Sequence, residues 1–453
     1  MIIFSTLAEY QTAFWIDLAI YLRDQGEKIA FLSFDDRSSV LIENAGFEQY
    51  NLVSLAKDLS IENSPTEVFQ KFGVENINNW ISHERLTFGI DETSVLVKKF
   101  ASYLTAVDEV LRQIEDDVIV IQELGGFLSV ISIYLLAAHH KIDNWFIEPS
   151  FFRGKLFYNL NTFSSARITD FPKVQSDAVE EYLNETLASQ AIVIPKKDRH
   201  QYNPALSKVL NLRNINKLLE KLYRKYILKE HQEFGYIKRY VSLHILQVIN
   251  SITLKSYYAN PLEIPEDEKF VYFPLHVPGD AALTLRSPKY LDQIALIEYM
   301  ARNIPYGTFL YIKEHPAQVG AIQRSQVAPV LDRFDNIKLI SPKVNNFELM
   351  SKAKCIISIN SKSGAEAIAL GKKVLVLGDA FYSDASLVTY LPDLENLHSV
   401  LSDMLNEPSD RRDKEIINYF QGVWARSSSG ELYDSSPENI RTFGADLLKK
   451  INQ

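Results

Sequence analysis

Short apolar runs alternate with segments of helical periodicity along the first half of the chain. The runs IIFST (2–6) and KIAFLSF (28–34) are separated by residues 9–23, where apolar positions recur every three or four residues. Short β-rich runs that alternate with helices indicate βαβ units and therefore a parallel sheet. Further along, the pattern predicts helices over 93–115 and 125–140, and strands DVIVIQ (117–122) and NWFIE (144–148).

The second half repeats this plan. Its apolar runs predict five strands, with helices between them, and the whole chain is therefore predicted to be an α/β protein with two Rossmann-like domains. The predicted strands are KFVYFPL (269–275), TFLYIK (308–313), NIKLI (336–340), CIISI (355–359) and KVLVL (373–377), and the predicted helices are 288–303, 318–334, 346–353 and 363–370.

The length of the chain also favours two domains, because 453 residues exceed what one hydrophobic core usually supports. The proline-rich and acidic stretch ANPLEIPEDEK places the boundary near 258–268. We expect an N-terminal domain over 1–262 with a helical segment at 204–255, and a C-terminal domain over 263–410. Helices over 411–453 are expected to pack back across the junction.

The composition is that of a globular protein, with 46% hydrophobic and 23% charged residues. A net charge of −9 argues against nucleic acid as a partner, because neutralising phosphates requires a basic surface. The single cysteine, Cys355, lies in an apolar run and is predicted to be a core residue. No apolar stretch reaches 18 residues and no basic leader precedes a cleavage site, so we expect a cytoplasmic protein.

One basic segment departs from this acidic balance. Between Lys208 and Arg239, nine Lys and Arg stand against three acidic residues, a local charge of +6, and the apolar residues keep helical spacing. A solvated basic face is the commoner explanation of such a helix. The alternative is a surface that contacts an anionic acceptor, an assembly complex or the inner face of the cytoplasmic membrane.

Polar residues gather at three strand ends in the second domain. Ligands of open parallel sheets bind beyond the carboxyl ends of the strands, so these residues are candidates for a site. The three clusters are His276 and Asp280 in HVPGDAA, Lys313, Glu314 and His315 in KEHP, and Asn360, Ser361 and Ser363 in NSKSG.

The NSKSG cluster opens a predicted helix. Either Ser361 or Ser363 can cap that helix, and the same amides and hydroxyls can also hold a phosphate. Gly364 would let the backbone approach closely, and Glu366 in the first turn can accept ribose hydroxyls. Beside the other two clusters, the phosphate interpretation is favoured over a simple cap.

His315 can supply positive charge or a hydrogen-bond donor to a departing nucleotide phosphate. Strand alternation places Lys313 on the same side as His315. No metal-ligand spacing and no Asp-x-Asp pair occurs nearby in the sequence. We therefore expect neither a metal nor a bound cofactor.

The span from about 270 to 385 resembles the capsular polysaccharide biosynthesis glycosyltransferases, a family that includes bacterial β-Kdo transferases. The matching motifs are YFPLHVPGDAA, KEHP and SINSKSGAEAIALGKKVLVLGDAFY, and apart from FIEPSFFRGK (146–155) the N-terminal half matches only in architecture. The resemblance implies a GT-B fold with two facing Rossmann-like domains and, here, a helical basic insertion. The nucleotide-sugar donor would bind the second domain and the acceptor the first.

The resemblance also implies roles for individual residues on the donor side. The phosphate of the donor would be contacted by His315, Ser361 and Ser363, and the ribose by Glu366. Lys313 and Asn360 would complete this nucleotide-binding set.

For catalysis, the resemblance points to Asp280, which lies in a loop where the family has acidic catalytic residues. The family often has glutamine where His276 stands, so this loop departs from the family pattern. Glu148, at the end of a strand in the first domain, would face Asp280 across the cleft as general acid or base. A surface carboxylate at a strand end is the alternative interpretation of Glu148.

The leading functional prediction is transfer of Kdo or another acidic sugar from a CMP-activated donor to a bacterial surface glycan or glycolipid. The alternatives are a UDP-sugar 2-epimerase, a polyol-phosphate transferase of related fold, or a non-catalytic nucleotide-binding partner of a glycan assembly complex. Epimerases prefer a Ser-Gly-Gly-x-x-Glu-Glu turn, and NSKSGAEA lacks its second glycine and paired acids. A non-catalytic partner would need neither Asp280 nor Glu148.

Overall fold

The computed structural model describes residues 1–59, 64–172, 175–190, 212–259, 265, 267–407 and 412–452. Within them the chain forms two seven-stranded sheets with helices on both faces. The strands are β1 Ile2–Thr6, β2 Ile29–Ser33, β3 Glu48–Asn51, β4 Ile119–Glu123, β5 Asp143–Pro149, β6 Lys155–Leu160, β7 Tyr258–Ala259, β8 Phe270–Pro274, β9 Phe309–Lys313, β10 Ile337–Ile340, β11 Cys355–Ser358, β12 Val374–Val376, β13 Thr389–Tyr390 and β14 Ser428–Ser429.

The helices of the first half are α1 Glu9–Asp24, α2 Asp36–Asn44, α3 Leu52–Leu59, α4 Pro65–Lys71, α5 Ile77–Phe88, α6 Thr93–Gln113, α7 Leu128–His140, α8 Asp177–Ser189, α9 Leu212–Tyr226 and α10 Ile237–Thr253. Those of the second half are α11 Ala281–Arg286, α12 Gln293–Asn303, α13 Arg324–Arg333, α14 Asn346–Lys352, α15 Lys362–Ala369, α16 Leu397–Asn406, α17 Asp413–Arg426 and α18 Pro437–Ile451. Short 3₁₀ turns occupy Leu254–Tyr257, Pro288–Tyr290, Pro316–Gln318 and Leu394–Asn396.

The first sheet has the order β14-β6-β5-β4-β1-β2-β3, and its pairs are parallel except those that involve β6. Alternate residues of its central strand enter different cores. Ile3 packs with residues of α6 and α7, whereas Phe4 packs with Trp15 of α1 and Phe443 of α18. Burial of both faces explains why the strands are continuously apolar.

The second sheet has the order β13-β12-β11-β8-β9-β10-β7, and its pairs are parallel. Tyr272 of β8 packs on one face with Ala365 of α15, and Phe273 on the other with Ile297 of α12. Cys355 is fully buried in β11, as predicted, and burial raises the pKa of its thiol to about 12. The α/β prediction with two Rossmann-like sheets is confirmed.

One predicted helix begins later than expected. The sequence pattern predicts a helix over 318–334, but α13 begins at Arg324. The Glu314 carboxylate accepts hydrogen bonds from the amides of Gly320 and Ile322, at 3.0 and 3.2 Å. A side chain that satisfies these two amides holds the preceding residues as a loop instead of a first helical turn.

Short strands at the sheet edges connect the two halves of the chain. The short strand β7 follows α10 and pairs with β10 in the second sheet, while β14, near the end of the chain, pairs with β6 in the first. Helix α18 packs on α1, with the ring of Phe443 edge-on to Phe14 and Trp15. The predicted domain limits themselves stay a prediction.

Helices α9 and α10 form most of the predicted helical segment, and its residues 204–211 lie outside the described residues. Across the described ranges, no helix has both the length and the apolar character required to cross a membrane.

Candidate functional site

Two of the three titratable residues in KEHP, Lys313 and Glu314, are fixed by neighbours at the carboxyl end of β9. The buried Lys313 ammonium donates to the Oδ1 atom of Asn346, and burial lowers its pKa to about 8. Glu314 accepts from the hydroxyl of Tyr258 at 2.9 Å as well as from the loop amides. Glu314 is therefore a structural residue that shapes the rim of the site.

His315 is oriented by its own backbone. Its Nδ1 atom accepts the amide hydrogen of Ala317 at 3.2 Å and so caps the turn that begins at Pro316. Burial lowers the pKa of His315 to about 4, and the nearby Asp280 opposes this effect only in part. In a neutral imidazole whose Nδ1 accepts, the proton lies on Nε2. His315 is thus a hydrogen-bond donor at neutral pH rather than a cation.

The HVPGDAA loop follows β8 and leads into α11. Asp280 is the N-cap of this helix, and its Oδ1 atom accepts from the amide of Ala282 at 2.9 Å. His276 is buried, and both its amide and its carbonyl bond the side-chain amide of Gln293. Burial lowers the pKa of His276, so this imidazole is neutral as well.

A third histidine, His83 of α5, approaches Asp280 from the first half of the chain. Its Nδ1 atom lies 3.0 Å from the hydroxyl of Thr284, and its buried Nε2 atom has no partner in the described residues. Burial lowers the pKa of His83 to about 4, and the charge of Asp280 partly offsets this. Sequence reasoning missed His83, because only packing of α5 on α11 brings it to the site.

The NSKSG turn is a capped helix N-terminus. The Ser361 hydroxyl accepts from the amide of Ser363 at 3.2 Å, and the amide of Ser361 in turn donates to the hydroxyl of Ser358 at 3.1 Å. A side chain at Gly364 would collide with the hydroxyl of Tyr382, which also donates to the Ser361 carbonyl. The close approach expected at Gly364 is therefore made by Tyr382, and the turn offers fewer free amides than the phosphate prediction assumed.

Glu366 lies one turn into α15 and is 4% exposed. Its Oε2 atom is buried and has no hydrogen-bond partner in the described part of the chain. Burial raises the pKa of Glu366 to about 7, against which the cations of Lys362 and Lys313 act only weakly. A buried carboxylate that the protein leaves without hydrogen bonds is costly, so this group is suited to a ligand that donates hydroxyls.

Asn360 ties the end of β11 to the HVPGDAA loop. Its Nδ2 atom donates to the carbonyl of Ala282 at 2.7 Å and to the hydroxyl of Ser287 at 3.1 Å. Its Oδ1 atom is buried without a partner in the described residues. The structure therefore brings Asn360, Lys313, His315, Glu366 and the two serines to one edge of the second sheet, together with Asp280.

Glu148 is held in an ion pair, an arrangement that the sequence did not indicate. Its two oxygens accept from the guanidinium of Arg286, at 2.6 and 2.9 Å, and Oε1 also accepts from Asn159 at 2.8 Å. Arg286 belongs to α11 of the second half, so this pair joins the two halves. Glu148 is therefore a largely buried, ion-paired carboxylate and not the surface carboxylate of the alternative interpretation; that it faces Asp280 as general acid or base stays a prediction.

Two depressions lie along this region. One of about 180 Å³ is bordered by His276, Glu314 and His315. The other, of about 360 Å³, lies between the FIEPSFFRGK turn and the start of α15, and its lining includes Arg153, Lys155 and Lys362. The Lys362 ammonium bridges the two halves by donating to the Ser150 carbonyl at 2.7 Å.

The chain matches a family profile described as "Capsule polysaccharide biosynthesis protein" over residues 131–398. That range includes the eight residues predicted for catalysis and donor binding, but not His83. A protein named FixF from Sinorhizobium fredii (strain NBRC 101917 / NGR234) is 31% identical over 153 residues. The match covers 33% of this chain and 36% of FixF, so the chain spans about a third of that relative.

Solved structures with similar folds show lower identity. KpsC of Thermosulfurimonas dismutans, a beta Kdo 2,7 transferase, is 15% identical, with 77% of this chain and 90% of that chain covered and a TM-score of 0.34. The UDP-GlcNAc 2-epimerase of Neisseria meningitidis is also 15% identical, with 99% and 100% covered and a TM-score of 0.28. At TM-scores this low, neither superposition identifies corresponding residues.

Proposed function

We propose, because this chain belongs to the family of capsule polysaccharide biosynthesis proteins, that it is a glycosyltransferase that extends a bacterial surface glycan or glycolipid. The donor in this proposal is a nucleotide sugar, CMP-linked, and the sugar is Kdo or another acidic sugar. The family match over 131–398 supports a role in capsule polysaccharide biosynthesis. The chemistry of the candidate site supports transfer of a sugar from a nucleotide.

One observation carries the proposal: a buried carboxyl group without a partner among the described residues, a buried lysine and a neutral imidazole lie at a single edge of the second sheet. Glu366 accepts the ribose hydroxyls of the nucleotide in this scheme. His315 donates from Nε2 to the phosphate, and Lys313 supplies positive charge behind it. Together these groups bind the nucleotide and stabilise the charge that develops on the leaving phosphate.

Asp280 acts at the anomeric carbon in this proposal. As a base, it removes the proton of the acceptor hydroxyl, whose oxygen then forms the new bond while the bond to the CMP phosphate breaks. As a nucleophile, its carboxylate displaces CMP and forms a covalent sugar ester, which the acceptor hydroxyl then displaces as it loses its proton. The resemblance to β-Kdo transferases favours the second route.

Glu148 serves the acceptor side only when its pair with Arg286 opens. While the guanidinium holds both carboxylate oxygens, neither oxygen is available to an acceptor hydroxyl. In this proposal, a change in the contact between the two halves releases Glu148 from Arg286, and Glu148 then takes part in the reaction.

The depression lined by Arg153, Lys155 and Lys362 supports an acidic substrate. Its three cations outnumber the single acid in its lining, Glu431. Carboxylates of an acidic sugar, on the donor or on the growing glycan, are the natural complement of such a lining.

Thermal unfolding with a panel of CMP, CDP, UDP and GDP tests the nucleotide. We expect CMP to raise the melting temperature most, and we expect EDTA to change neither this shift nor turnover of CMP-Kdo with a glycan acceptor. A larger shift with UDP, or a strict need for magnesium or manganese, would contradict the proposal.

A further inference from the structure

Helices α9 and α10 expose an unusual amount of apolar surface. Of the 21 large hydrophobic side chains exposed among the described residues, 11 lie between positions 212 and 253. They are Ile215, Leu219, Tyr223, Tyr226, Ile227, Leu228, Tyr240, Ile245, Leu246, Ile249 and Ile252. We call these residues the α9–α10 surface.

The exposed residues follow helical spacing. On α9, Ile215, Leu219 and Tyr223 recur every four positions, and on α10 Ile245, Ile249 and Ile252 recur every three or four. A helix on a protein surface normally turns such a stripe toward the core. Here the apolar stripe faces solvent. Its exposure is unfavourable unless a partner outside the described chain covers it.

Charged residues hold α9 to the protein from its other side. Arg224 is buried and pairs with Asp35 at 3.3 Å and with Glu230 at 2.6 Å. Glu220 pairs with Arg37 at 2.6 Å, and Glu233 pairs with Lys99 at 3.0 Å. The three acids of residues 212–253 are thus all neutralised by ion pairs within the chain.

The cations near this surface are not neutralised in the same way. Six exposed basic side chains form no ion pair in the described residues, since no carboxylate oxygen lies within 4.0 Å of their nitrogen atoms. They are Lys217, Lys221, Lys225, Lys229, Lys238 and Arg239. Apolar side chains and cations without an ion-pair partner in the described residues therefore occur together on these two helices, and Lys238, seven positions before Ile245, shares its face of α10.

We propose that the α9–α10 surface binds an anionic lipid bilayer. Aliphatic side chains would enter the boundary between headgroups and acyl chains, and the lysines and arginine would meet lipid phosphates. Three of the exposed residues are tyrosines, which favour the membrane–water interface because the ring is apolar and the hydroxyl can stay hydrated. This proposal does not depend on which sugar the protein transfers.

A second copy of the chain fits this surface less well. The commonest dimers place the same patch of both copies face to face. Such a contact would bring the cations of α9 and α10 of one copy close to those of the other, and like charges oppose association. Charge complementarity therefore favours lipid over self-association.

Co-sedimentation of the full chain with vesicles tests the proposal. We expect binding to vesicles with about a third phosphatidylglycerol, little binding to phosphatidylcholine alone, and loss of binding as salt is raised. The double variant Leu219→Ser/Ile249→Ser and the double variant Lys238→Gln/Arg239→Gln should each weaken binding by about tenfold or more.

Tyr306→Ser is the matched control, because Tyr306 is fully exposed elsewhere and its loss should leave vesicle binding unchanged. All variants should keep the thermal shift given by CMP, so a failure here is distinct from a failure of the proposed enzyme. Equal binding of wild type and variants, or no binding to anionic vesicles at low salt, would overturn the proposal. A dimer that the apolar variant disrupts in light scattering, without vesicle binding, would assign the surface to a second copy.

Discussion

The carboxyl edges of the two sheets share a topology but differ in how their charges are satisfied. At the first edge, Asp35 is bound by Arg224, Glu123 by the hydroxyl of Tyr433, and Glu148 by Arg286. At the second edge, the buried Oε2 atom of Glu366 has no partner among the described residues.

This contrast shows which sheet edge retains an unbonded buried carboxylate. Each carboxylate of the first edge is neutralised or bonded by a residue more than 100 positions away, on α9, on α11 or near the C-terminus. A carboxyl group that is buried without a hydrogen-bond partner is destabilising in either protonation state, which makes Glu366 a candidate for contact with a ligand. The carboxylates of the first edge are bonded by the chain itself, whereas the second edge keeps a buried carboxylate oxygen that has no partner among the described residues.

Asp280→Asn should produce the largest effect at the second edge. Asparagine caps a helix as well as aspartate does, so the bond to Ala282 and the melting temperature should be kept. We expect transfer to be abolished while CMP affinity stays near wild type, as measured by turnover and by titration calorimetry. After incubation of wild type with donor alone, intact mass spectrometry should show one added sugar, located at Asp280, if the reaction is retaining.

An Asp280→Asn protein that transfers sugar at the normal rate would leave Asp280 with only its capping role. The open edge would then bind a nucleotide without supplying the catalytic carboxylate.

Breaking the ion pair at the first edge should mainly affect stability. Both side chains are largely buried, at 7% and 15% exposure, so Glu148→Ala or Arg286→Ala should lower the free energy of unfolding by about 3–5 kcal/mol. Urea unfolding measures this. The double variant should lose clearly less than the sum of the two single losses.

If Arg286→Ala has the same free energy of unfolding as wild type, the ion pair does not stabilise the fold. The contrast between the two edges would then be wrong. Additive losses in the double variant would likewise show that Glu148 and Arg286 contribute to stability independently of each other.

His315→Ala should reduce turnover by about 10²–10³-fold, the usual loss for one donor to a developing charge. His315→Asn is the matched control for folding, since its amide oxygen can replace Nδ1 as acceptor of the Ala317 amide but does not supply the Nε2 donor. Both variants should be equally slow, with His315→Asn keeping the wild-type melting temperature.

The pH profile sharpens this prediction. With a pKa of about 4, His315 is neutral over about pH 5 to 8 and should add no step to turnover there. A wild-type loss of turnover near pH 6.5 that is missing from His315→Asn would show that the residue acts as a cation.

Glu366→Gln should give the smallest effect, a loss of CMP affinity of about 10- to 100-fold, since glutamine offers one acceptor oxygen where the carboxylate offers two to the ribose hydroxyls. Stability provides a second measurement. The pKa of Glu366 is about 7 in the folded protein against an ordinary 4.5, so the folded state keeps a proton that the unfolded chain releases. The wild-type free energy of unfolding should therefore fall as pH rises from 4.5 to about 7.

In Glu366→Gln this part of the fall should be missing. Unchanged CMP affinity together with an unchanged pH dependence would mean that Glu366 is neither buried without partners nor part of the nucleotide site.

Local patterns in the sequence were enough to predict the two Rossmann-like sheets and to group the residues of the candidate site. Apolar periodicity depends on near neighbours, so strands such as β8 and β11 were predicted to within one or two residues. The Ser361 cap also follows from residues two positions apart. Because the carboxyl ends of parallel strands meet at one edge, the three polar clusters could be assigned to one place before any contact was known.

Tertiary structure alone decided the partners of the charged groups. Arg286 lies 138 positions from Glu148, and nothing in either local sequence links them. The same holds for His83 beside Thr284, and for Tyr382 over Gly364. The amphipathic pattern of α9 is visible in the sequence, but only the ion pairs of Arg224 with Asp35 and Glu230 turn its apolar stripe outward. Periodicity fixes which residues share a face, and long-range contacts fix what that face meets.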